Sequence, residues 1–518
     1  MNIWNVSMEC AGIIEAGGVK NVTYSLCKEV YELNHKSTLF IPLFKTTSYT
    51  FINDLKKNVY SAKINHCGKD ESVQYHTAVF SDGGFNIVFV DHPCFNQKEG
   101  VYTYTENEHK ANPEFIKGTG HKDELFMDSL FSKAVVKFLE LIPKEDYPDI
   151  IHCQDASCAL VPALLNKNQY MIKSVVTIHN AGPAYHHNFS SIGEAAWFTG
   201  LSEAVLSGAL NEYRVEPFLL ASNAGASLST VSEHYAKELL DPYNNKETEG
   251  LSTVFFSRYT KITGITNGID FVRYDPKDKS KSCLPFEFNP EKKDLFGKIK
   301  CRDYFYKNIL GDKSLTEVPV FGSFDMNDDY TKQIYIIYHG RITEQKGISV
   351  LLSTIPHLIN NFPNVRFLIT GQGEITLENE ILQLTKIHPG KVVFANGYSK
   401  LIARITNAIG DFIVLPSFFE PCGLEDLISQ VYGTIPVANA TGGLNKILNY
   451  QTGFLYTKNT TESLIAKLSE VISLKKYNPG LLEEMIQYAA IYVHKNYLWK
   501  NVVEQKYIPF FEEILKKK

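Results

Sequence analysis

Short apolar runs of strand length alternate with amphipathic, helix-compatible segments along most of this 518-residue chain. Such alternation predicts parallel β-sheets covered by helices, because consecutive parallel strands need a crossover that a helix normally supplies. The runs fall into two series: residues 37–44, 85–90, 149–153, 174–179 and 227–231, then 333–339, 365–370, 391–395, 411–416 and 434–437. We therefore expect an α/β fold with two doubly wound, Rossmann-like domains.

The break between the two series lies near the NGID motif at residues 267–270. A chain of this length also exceeds what one hydrophobic core usually organises. The predicted boundaries are residues 1–264 for an N-terminal domain and 265–495 for a second domain. Ligands of doubly wound domains bind at the carboxyl ends of the strands. A site in a cleft between the two domains is therefore expected.

Composition narrows the class of function. A hydrophobic content of 44% with 21% charged residues is typical of a folded globular chain. The formal net charge is −5 and no lysine or arginine block occurs, so neither nucleic acid nor an anionic membrane is expected as a partner. The N-terminus has no signal-like pattern and no apolar run approaches ~18 residues, which predicts a cytoplasmic location.

The cysteines and aspartates argue against a metal or disulfide framework. The 9 cysteines are scattered and form no C-x-x-C pair, which favours a reducing compartment. No D-x-D triplet occurs, so the device that commonly holds a metal-diphosphate is missing. We therefore predict no metal and no cofactor, so that any phosphate ligand would be neutralised by positive side chains and helix ends.

Two cations follow the apolar run that ends at His339. Arg341 offers a planar fork for phosphate oxygens, and Lys346 adds a compact charge five residues later. A plain surface loop is the alternative interpretation. The TEQKG continuation at residues 343–347 favours a phosphate-binding role.

An acidic residue opens a turn in the segment FEPCGL at residues 419–424. Glu420 precedes a proline, and Gly423 and Leu424 lead into a helical stretch whose first amides could hold a phosphate. The carboxylate could then face the reacting carbon, or it could merely be an acid at a helix N-terminus.

Glycine turns and strand-end histidines supply further candidates. Gly17 and Gly18 lie between a strand and a helix, where backbone amides can approach an anion closely. Thr441 and Gly442 begin another glycine turn. Each turn taken singly could be structural, and His179 at the end of a strand could equally line a site or belong to the core.

In their shared order and spacing these motifs resemble the bacterial glycogen and plant starch synthases, which are retaining transferases of glycosyltransferase family 5. The resemblance covers nearly the whole chain. It implies the GT-B fold, two Rossmann-like domains facing each other across a cleft, with a last helix over residues 496–518 that crosses back to the first domain. It further implies transfer of glucose, usually from ADP-glucose, to the non-reducing end of an α-1,4-glucan.

The resemblance also implies roles for single residues. Arg341 and Lys346 would hold the diphosphate, and Glu420 would lie near the sugar. The donor-binding positions would be Glu15, Gly17, Gly18, Gly423, Leu424, Thr441 and Gly442. The sugar and acceptor side would be lined by Asp155, His179 and Ser157.

This chain departs from the family pattern mainly in its first domain. Glu15 stands where a lysine is usual, and Asn21 where an aspartate is usual. The family run H-x-x-D-W-H ends here in Ser157 instead of histidine, and Asn439 replaces a commonly basic residue. An anion beside a diphosphate should weaken donor binding or transition-state stabilisation.

Three functions remain open at this level. The first is an active glycogen or starch synthase, a hexosyltransferase with substituted donor-pocket residues that uses ADP-glucose or UDP-glucose. The second is a catalytically impaired homologue that binds glucan or regulates a partner. The third is a transferase of the same fold with another acceptor. A pyridoxal-dependent phosphorylase shares the overall fold, but its cofactor lysine motif is missing.

Overall fold

The computed structural model describes residues 1–312 and 316–517. The chain divides into two compact units. Unit 1 comprises Met1–Thr266 with Trp499–Lys518, and unit 2 comprises Asn267–Leu498. No helix in the described ranges combines the length and the apolar character that a membrane crossing requires.

Unit 1 is built on a mostly parallel sheet. Its strands are β1 (Asn2–Val6), β2 (Lys36–Pro42), β3 (Ile52–His66), β4 (Lys69–Phe80), β5 (Asn86–Asp91), β6 (Ile150–Gln154), β7 (Lys173–Ile178), β8 (Leu210–Asn211), β9 (Arg214–Val215), β10 (Ser227–Thr230) and β11 (Ile262–Gly264). The main sheet has the order β11-β10-β7-β6-β1-β2-β5-β4-β3. Strands β8 and β9 form a separate antiparallel pair.

A long antiparallel hairpin forms one edge of this sheet and was not among the predicted runs. Strand β3 has 15 residues, and most of them are at least partly exposed. It pairs antiparallel with β4, which pairs antiparallel with β5. An antiparallel edge can leave one face in water, so β3 carries lysines such as Lys56 and Lys63 instead of a continuous apolar run.

The helices of unit 1 include the last segment of the chain. They are α1 (Val19–Glu32), α2 (Pro93–Asn96), α3 (Glu106–Ala111), α4 (Glu124–Phe138), α5 (Val161–Lys167), α6 (Ile192–Thr199), α7 (Glu203–Ser207), α8 (Pro217–Asn223), α9 (Glu233–Glu238), α10 (Leu251–Ser257), α20 (Trp499–Val502) and α21 (Ile508–Lys516). The C-terminal segment buries Trp499, Tyr507 and Phe511 in one apolar cluster with Ile3 and Leu26. This burial attaches the C-terminus to β1 and α1.

Unit 2 is a second parallel sheet. Its strands are β12 (Val320–Gly322), β13 (Ile334–His339), β14 (Val365–Gly371), β15 (Val392–Asn396), β16 (Phe412–Leu415), β17 (Ile435–Asn439) and β18 (Phe454–Tyr456). They lie in the order β12-β15-β14-β13-β16-β17-β18, with only β12 antiparallel to its neighbour among the described strands. Every predicted apolar run of both series coincides with a strand, which confirms that part of the prediction.

Helices cover both faces of the second sheet. They are α11 (Phe271–Tyr274), α12 (Lys279–Ser282), α13 (Phe296–Tyr304), α14 (Ile348–Asn361), α15 (Ile375–Ile387), α16 (Lys400–Ile409), α17 (Glu425–Val431), α18 (Thr461–Tyr477) and α19 (Pro479–Asn496). Successive β13 residues alternate between two cores. Tyr335 and Ile337 pack with α16 and α17, whereas Ile336 and Tyr338 pack with α14 and α18. This alternation is the signature of a doubly wound sheet.

Candidate active site

The loop that carries the two predicted cations is fixed by glycines. It leaves β13 at Gly340, makes a short 3-10 turn over Glu344–Lys346, and ends at Gly347 with φ +67°. A side chain at Gly347 would place a Cβ 1.7 Å from the carbonyl oxygen of Pro416. The backbone therefore approaches the segment after β16 closely, and Gly347 is needed for that approach. Arg341 is exposed on this loop.

Lys346 and Glu420 meet in an ion pair. Lys346 Nζ lies 2.5 Å from Glu420 Oε2, and both side chains are largely buried. Ser417 Oγ donates a second hydrogen bond to the same carboxylate oxygen at 3.0 Å. Burial alone would raise the pKa of Glu420, but the Lys346 charge and these hydrogen bonds outweigh it, so the pKa of Glu420 is lowered. Glu420 is therefore a carboxylate at neutral pH.

The turn after Glu420 is interlocked with the Thr441 turn. The Gly443 N–H donates to the Glu420 carbonyl at 2.7 Å. Gly423 adopts φ +68° and Gly442 φ +44°, backbone conformations that L side chains rarely adopt. Thr441 Oγ1 donates to the Phe418 carbonyl at 3.2 Å. Leu424 is the N-cap residue of α17, so the predicted residues of these two turns form one continuous structure with Glu420.

A buried lysine that the sequence did not single out holds these turns together. Lys446 Nζ donates to the carbonyl oxygens of Cys422 at 2.8 Å, Gly423 at 2.5 Å and Gly443 at 3.0 Å. It also lies 2.8 Å from Asp426 Oδ1, and Asp426 is fully buried. Burial raises the pKa of Asp426 to about 6 despite the nearby ammonium. The Lys446 charge additionally helps to lower the pKa of Glu420.

A second unexpected pair lies at the carboxyl end of β13. His339 Nδ1 is 2.9 Å from Glu425 Oε2. Burial disfavours the charged imidazole, but the Glu425 carboxylate outweighs it and raises the pKa of His339. Both side chains line a 60 Å³ pocket together with Lys346, Glu420 and Asp426. This pocket lies below the size range of ligand pockets, so it accommodates at most a small part of a nucleotide sugar.

In unit 1 the turn that contains Gly17 and Gly18 is held by hydrogen bonds to the buried carboxylate of Glu9. Glu9 is fully buried, and its Oε2 accepts the N–H of Ala16 at 2.9 Å and of Gly17 at 2.6 Å. Gly18 is the N-cap residue of α1. The Gly17 amide is thus already bonded to a carboxylate, which leaves Gly18 and the start of α1 as the nearer candidates for an anion.

Glu15 is neutralised locally. Its Oε2 lies 2.9 Å from Lys20 Nζ, and its Oε1 accepts the Gly12 N–H at 2.9 Å. The Glu15 side chain is 47% exposed and that of Lys20 25%. The acid that replaces the expected lysine is therefore paired with a lysine from the first turn of α1.

The predicted sugar-side residues follow β6 and β7. Asp155 has φ +65° and ψ 180°, a conformation that is rare for residues other than glycine and is found mainly at functional sites. Its Oδ1 accepts the His179 N–H at 3.3 Å, and burial raises its pKa to about 7. His179 Nε2 lies 2.8 Å from Gln154 Oε1, and burial lowers the pKa of His179 to about 4. The structure therefore joins Asp155 to His179, whereas Ser157 is buried with its Oγ 3.8 Å from Cys158 Sγ.

Sequence reasoning assigned no role to Lys446, Asp426, His339, Glu425 or Glu9. A lysine three residues after a threonine-glycine-glycine turn is an ordinary surface pattern, and its burial becomes visible only in the fold. Within residues 1–312 and 316–517, no group of three or more histidine, cysteine, aspartate or glutamate side chains is arranged to hold a metal ion.

Two family models match the chain. The starch synthase catalytic domain matches residues 2–254, and glycosyl transferases group 1 matches residues 323–491. The chain is 29% identical to the glycogen synthase of Thermodesulfovibrio yellowstonii, covering 99% of this chain and 98% of the relative. It is 26% identical to the glycogen synthase of Vibrio cholerae, with 97% of each chain covered.

One solved structure has a similar fold over the full length of this chain. The catalytic domain of starch synthase IV from Arabidopsis thaliana, bound to ADP and acarbose, superposes with a TM-score of 0.80 and 22% identity, covering 100% of this chain and 99% of that one. The likeness confirms the predicted α/β fold of GT-B type. Together with the relatives, it confirms the resemblance and the predicted class of enzyme, a hexosyltransferase of glycogen or starch synthesis. Nothing among these matches favours the catalytically impaired alternative.

Proposed function

The chain belongs to the glycogen and starch synthase family, and we propose that it transfers glucose from ADP-glucose to the non-reducing end of an α-1,4-glucan with retention of configuration. The observation that carries this proposal is the Lys346–Glu420 contact of 2.5 Å beside the Arg341 loop. It supports a centre in which a fixed carboxylate and fixed cations lie within one domain. The ADP bound to the Arabidopsis starch synthase supports an adenine nucleotide as the donor here.

We assign Arg341 and Lys346 to the diphosphate. Charge accumulates on the leaving diphosphate as the glycosidic bond breaks, and preorganised cations stabilise that charge without reorganising. Lys346 is held by Glu420 beforehand, so part of its charge is balanced in the resting enzyme. The exposed guanidinium of Arg341 provides a bidentate partner for phosphate oxygens.

Glu420 is the residue that we assign to the sugar. A lowered pKa keeps it ionised at neutral pH, so it can oppose positive charge that develops at the anomeric carbon. Gly423, Leu424, Thr441 and Gly442 would provide backbone contacts to the donor. Lys446 does not need to touch the donor, because it positions the carbonyls of the turn that carries Glu420.

From unit 1 we assign Gly18 and the start of α1 to the donor phosphate, with the Gly17 amide held by Glu9 and with Glu15 and Lys20 as an ion pair next to them. Asp155 and His179 would contact the sugar, and buried Ser157 would complete this side of the site. Neutral His179, whose pKa is lowered, can both donate and accept hydrogen bonds, which suits sugar hydroxyls.

The test uses purified protein with labelled ADP-glucose or UDP-glucose and glycogen. We expect incorporation that is faster from ADP-glucose. Glu420→Gln should lower kcat by about 100-fold or more, whereas Glu380→Gln, which removes an exposed acid on α15, should not change it. Incorporation from neither donor, or equal turnover by the Glu420 variant, would overturn the proposal.

A further inference from the structure

Two adjoining cavities in unit 1 lie outside the residues assigned above. The larger, of 470 Å³, is lined by the loop around His187 and Asn188 and by the start of α4 and α6. The smaller, of 280 Å³, is lined by Asn211, Asn245 and Lys246. Both share Arg214 and Glu249 in their walls. They form one groove, which we call the β9 groove because Arg214 begins that strand.

The charges of the β9 groove are mixed and largely paired in place. Arg214 Nη1 lies 3.3 Å from Glu249 Oε2, and His187 Nδ1 lies 2.6 Å from Asp128 Oδ2 and 3.6 Å from Glu124 Oε1. The carboxylates that line the groove belong to Glu124, Glu194, Glu212 and Glu249, and its cationic side chains to His187, Arg214 and Lys246.

This lining excludes several ligand classes. An anion would face the carboxylates, and a cation would face the guanidinium, the ammonium and the imidazolium. An apolar ligand would remove these polar groups from water without replacing their hydrogen bonds. An uncharged polyhydroxyl ligand can donate to the carboxylates and accept from the cations at once. The larger cavity, of 470 Å³, also falls in the size range of ligand sites.

Further features of the groove suit a sugar. Asn188 Oδ1 is a buried acceptor without a hydrogen-bond partner in the structure. Tyr213 is 62% exposed next to the groove, and the Arg214 guanidinium lies 5.4 Å from its ring centroid. An exposed aromatic ring held in this way offers an apolar face against which the C–H face of a sugar can pack.

One end of the groove adjoins the predicted sugar side. His187 adopts φ +51°, and the carboxylates of Asp128 and Glu124 outweigh burial and raise its pKa to about 9, so it is an imidazolium. That charge in turn acts on Asp155 and lowers its pKa against the effect of burial. Asp155 and His179 themselves do not line either cavity.

We propose that the β9 groove binds a segment of an uncharged α-glucan away from its reacting end and so retains the polymer on the enzyme. The glucan identity rests on the proposed function, whereas the uncharged polyhydroxyl chemistry rests on the groove itself. Tyr213, Arg214 and Lys246 then serve polymer retention and take no part in the transfer step.

Sedimentation with glycogen in the absence of any donor tests the inference. The double variant Tyr213→Ala/Arg214→Gln should bind glycogen about tenfold more weakly than the native chain, because it loses one ring face and one fork of donors. Arg273→Gln is the matched control. Arg273 is 41% exposed and pairs with Asp270 at 2.9 Å, much as Arg214 is 40% exposed and pairs with Glu249. The Arg273→Gln variant should bind glycogen as tightly as the native chain does.

Transfer to maltotriose should be unchanged in the double variant, with KM raised for glycogen alone. Should the double variant fold poorly in a melting experiment, Asn245→Ala/Lys246→Ala replaces it, because both side chains are exposed. Undiminished glycogen binding by a folded groove variant, an equal loss in Arg273→Gln, or tighter binding of a sulfated oligosaccharide than of maltoheptaose would each overturn the inference. If the native chain binds glycogen but transfers no glucose, and the groove variants lose glycogen binding, the inference stands and the proposed function is wrong.

Discussion

Replacing Lys446 by methionine tests how strongly the turns around Glu420 depend on one buried ammonium. The side chain of Lys446 is 7% exposed, and that of its partner Asp426 is 0% exposed. Methionine keeps most of the stem volume but removes the charge and the hydrogen bonds to Cys422, Gly423 and Gly443. We expect Lys446→Met to destabilise unit 2 and to lower transfer activity, because Glu420 shares this turn.

The size of the loss follows from two contributions. Unsatisfied buried carbonyls cost about 1–3 kcal/mol. Asp426 has a pKa of about 6, so it is mostly ionised at pH 7. Without Lys446 it must become protonated, which costs at most about 1.4 kcal/mol at that pH. The sum, about 2–4 kcal/mol, overlaps the range for breaking a buried ion pair.

The pKa of Asp426 also determines how the stability difference between the native protein and Lys446→Met changes with pH. At pH 5 Asp426 is largely protonated in both proteins, so the second contribution disappears. The stability difference between native protein and Lys446→Met should therefore narrow by about 1 kcal/mol from pH 7 to pH 5. The double variant Lys446→Met/Asp426→Asn should recover part of the loss, since no lone charge stays buried.

Urea denaturation at both pH values measures these differences. Lys467→Met is the control, because Lys467 pairs at 2.8 Å with the more exposed Glu470 and should lose about 0–1 kcal/mol. A Lys446→Met protein within about 0.5 kcal/mol of the native chain, or a difference that widens on acidification, would refute the reasoning.

Two further predictions concern single charges. Glu15→Lys reverses the acid that now pairs with Lys20 and frees that lysine. Since a unit charge pair at ~4 Å is worth up to about 4 kcal/mol before screening, we expect a lower KM for the nucleotide sugar and a larger thermal shift with ADP. An unchanged or smaller shift would place Glu15 outside the diphosphate environment. The pKa of His339 is raised by Glu425, so its stabilising contribution is complete below the unfolded value near 6.5 and is lost as pH rises through the folded value. His339→Gln should therefore flatten the decline in melting temperature above neutral pH, and an identical decline would contradict this assignment.

The strands that carry the site could be predicted because they are buried on both faces. Such strands are continuous apolar runs, and the run that ends at His339 is one of them. The β3 hairpin could not be found in this way, since an edge strand with one wet face carries lysines. The glycines of both turns were visible because glycine adopts positive φ, as at Gly347 and Gly423, without the steric cost that a side chain brings.

The sequence alone predicted the doubly wound architecture, carried the resemblance to the glycogen and starch synthases, and identified Arg341, Lys346 and Glu420 as candidates. Which charges meet was decided by tertiary structure. Lys446 finds Asp426, and Lys346 finds Glu420, through backbone turns whose geometry no local pattern specifies. The physical reason is that hydrophobic periodicity is a short-range property, whereas the pairing and desolvation of charges depend on distances between segments that only the folded chain brings together.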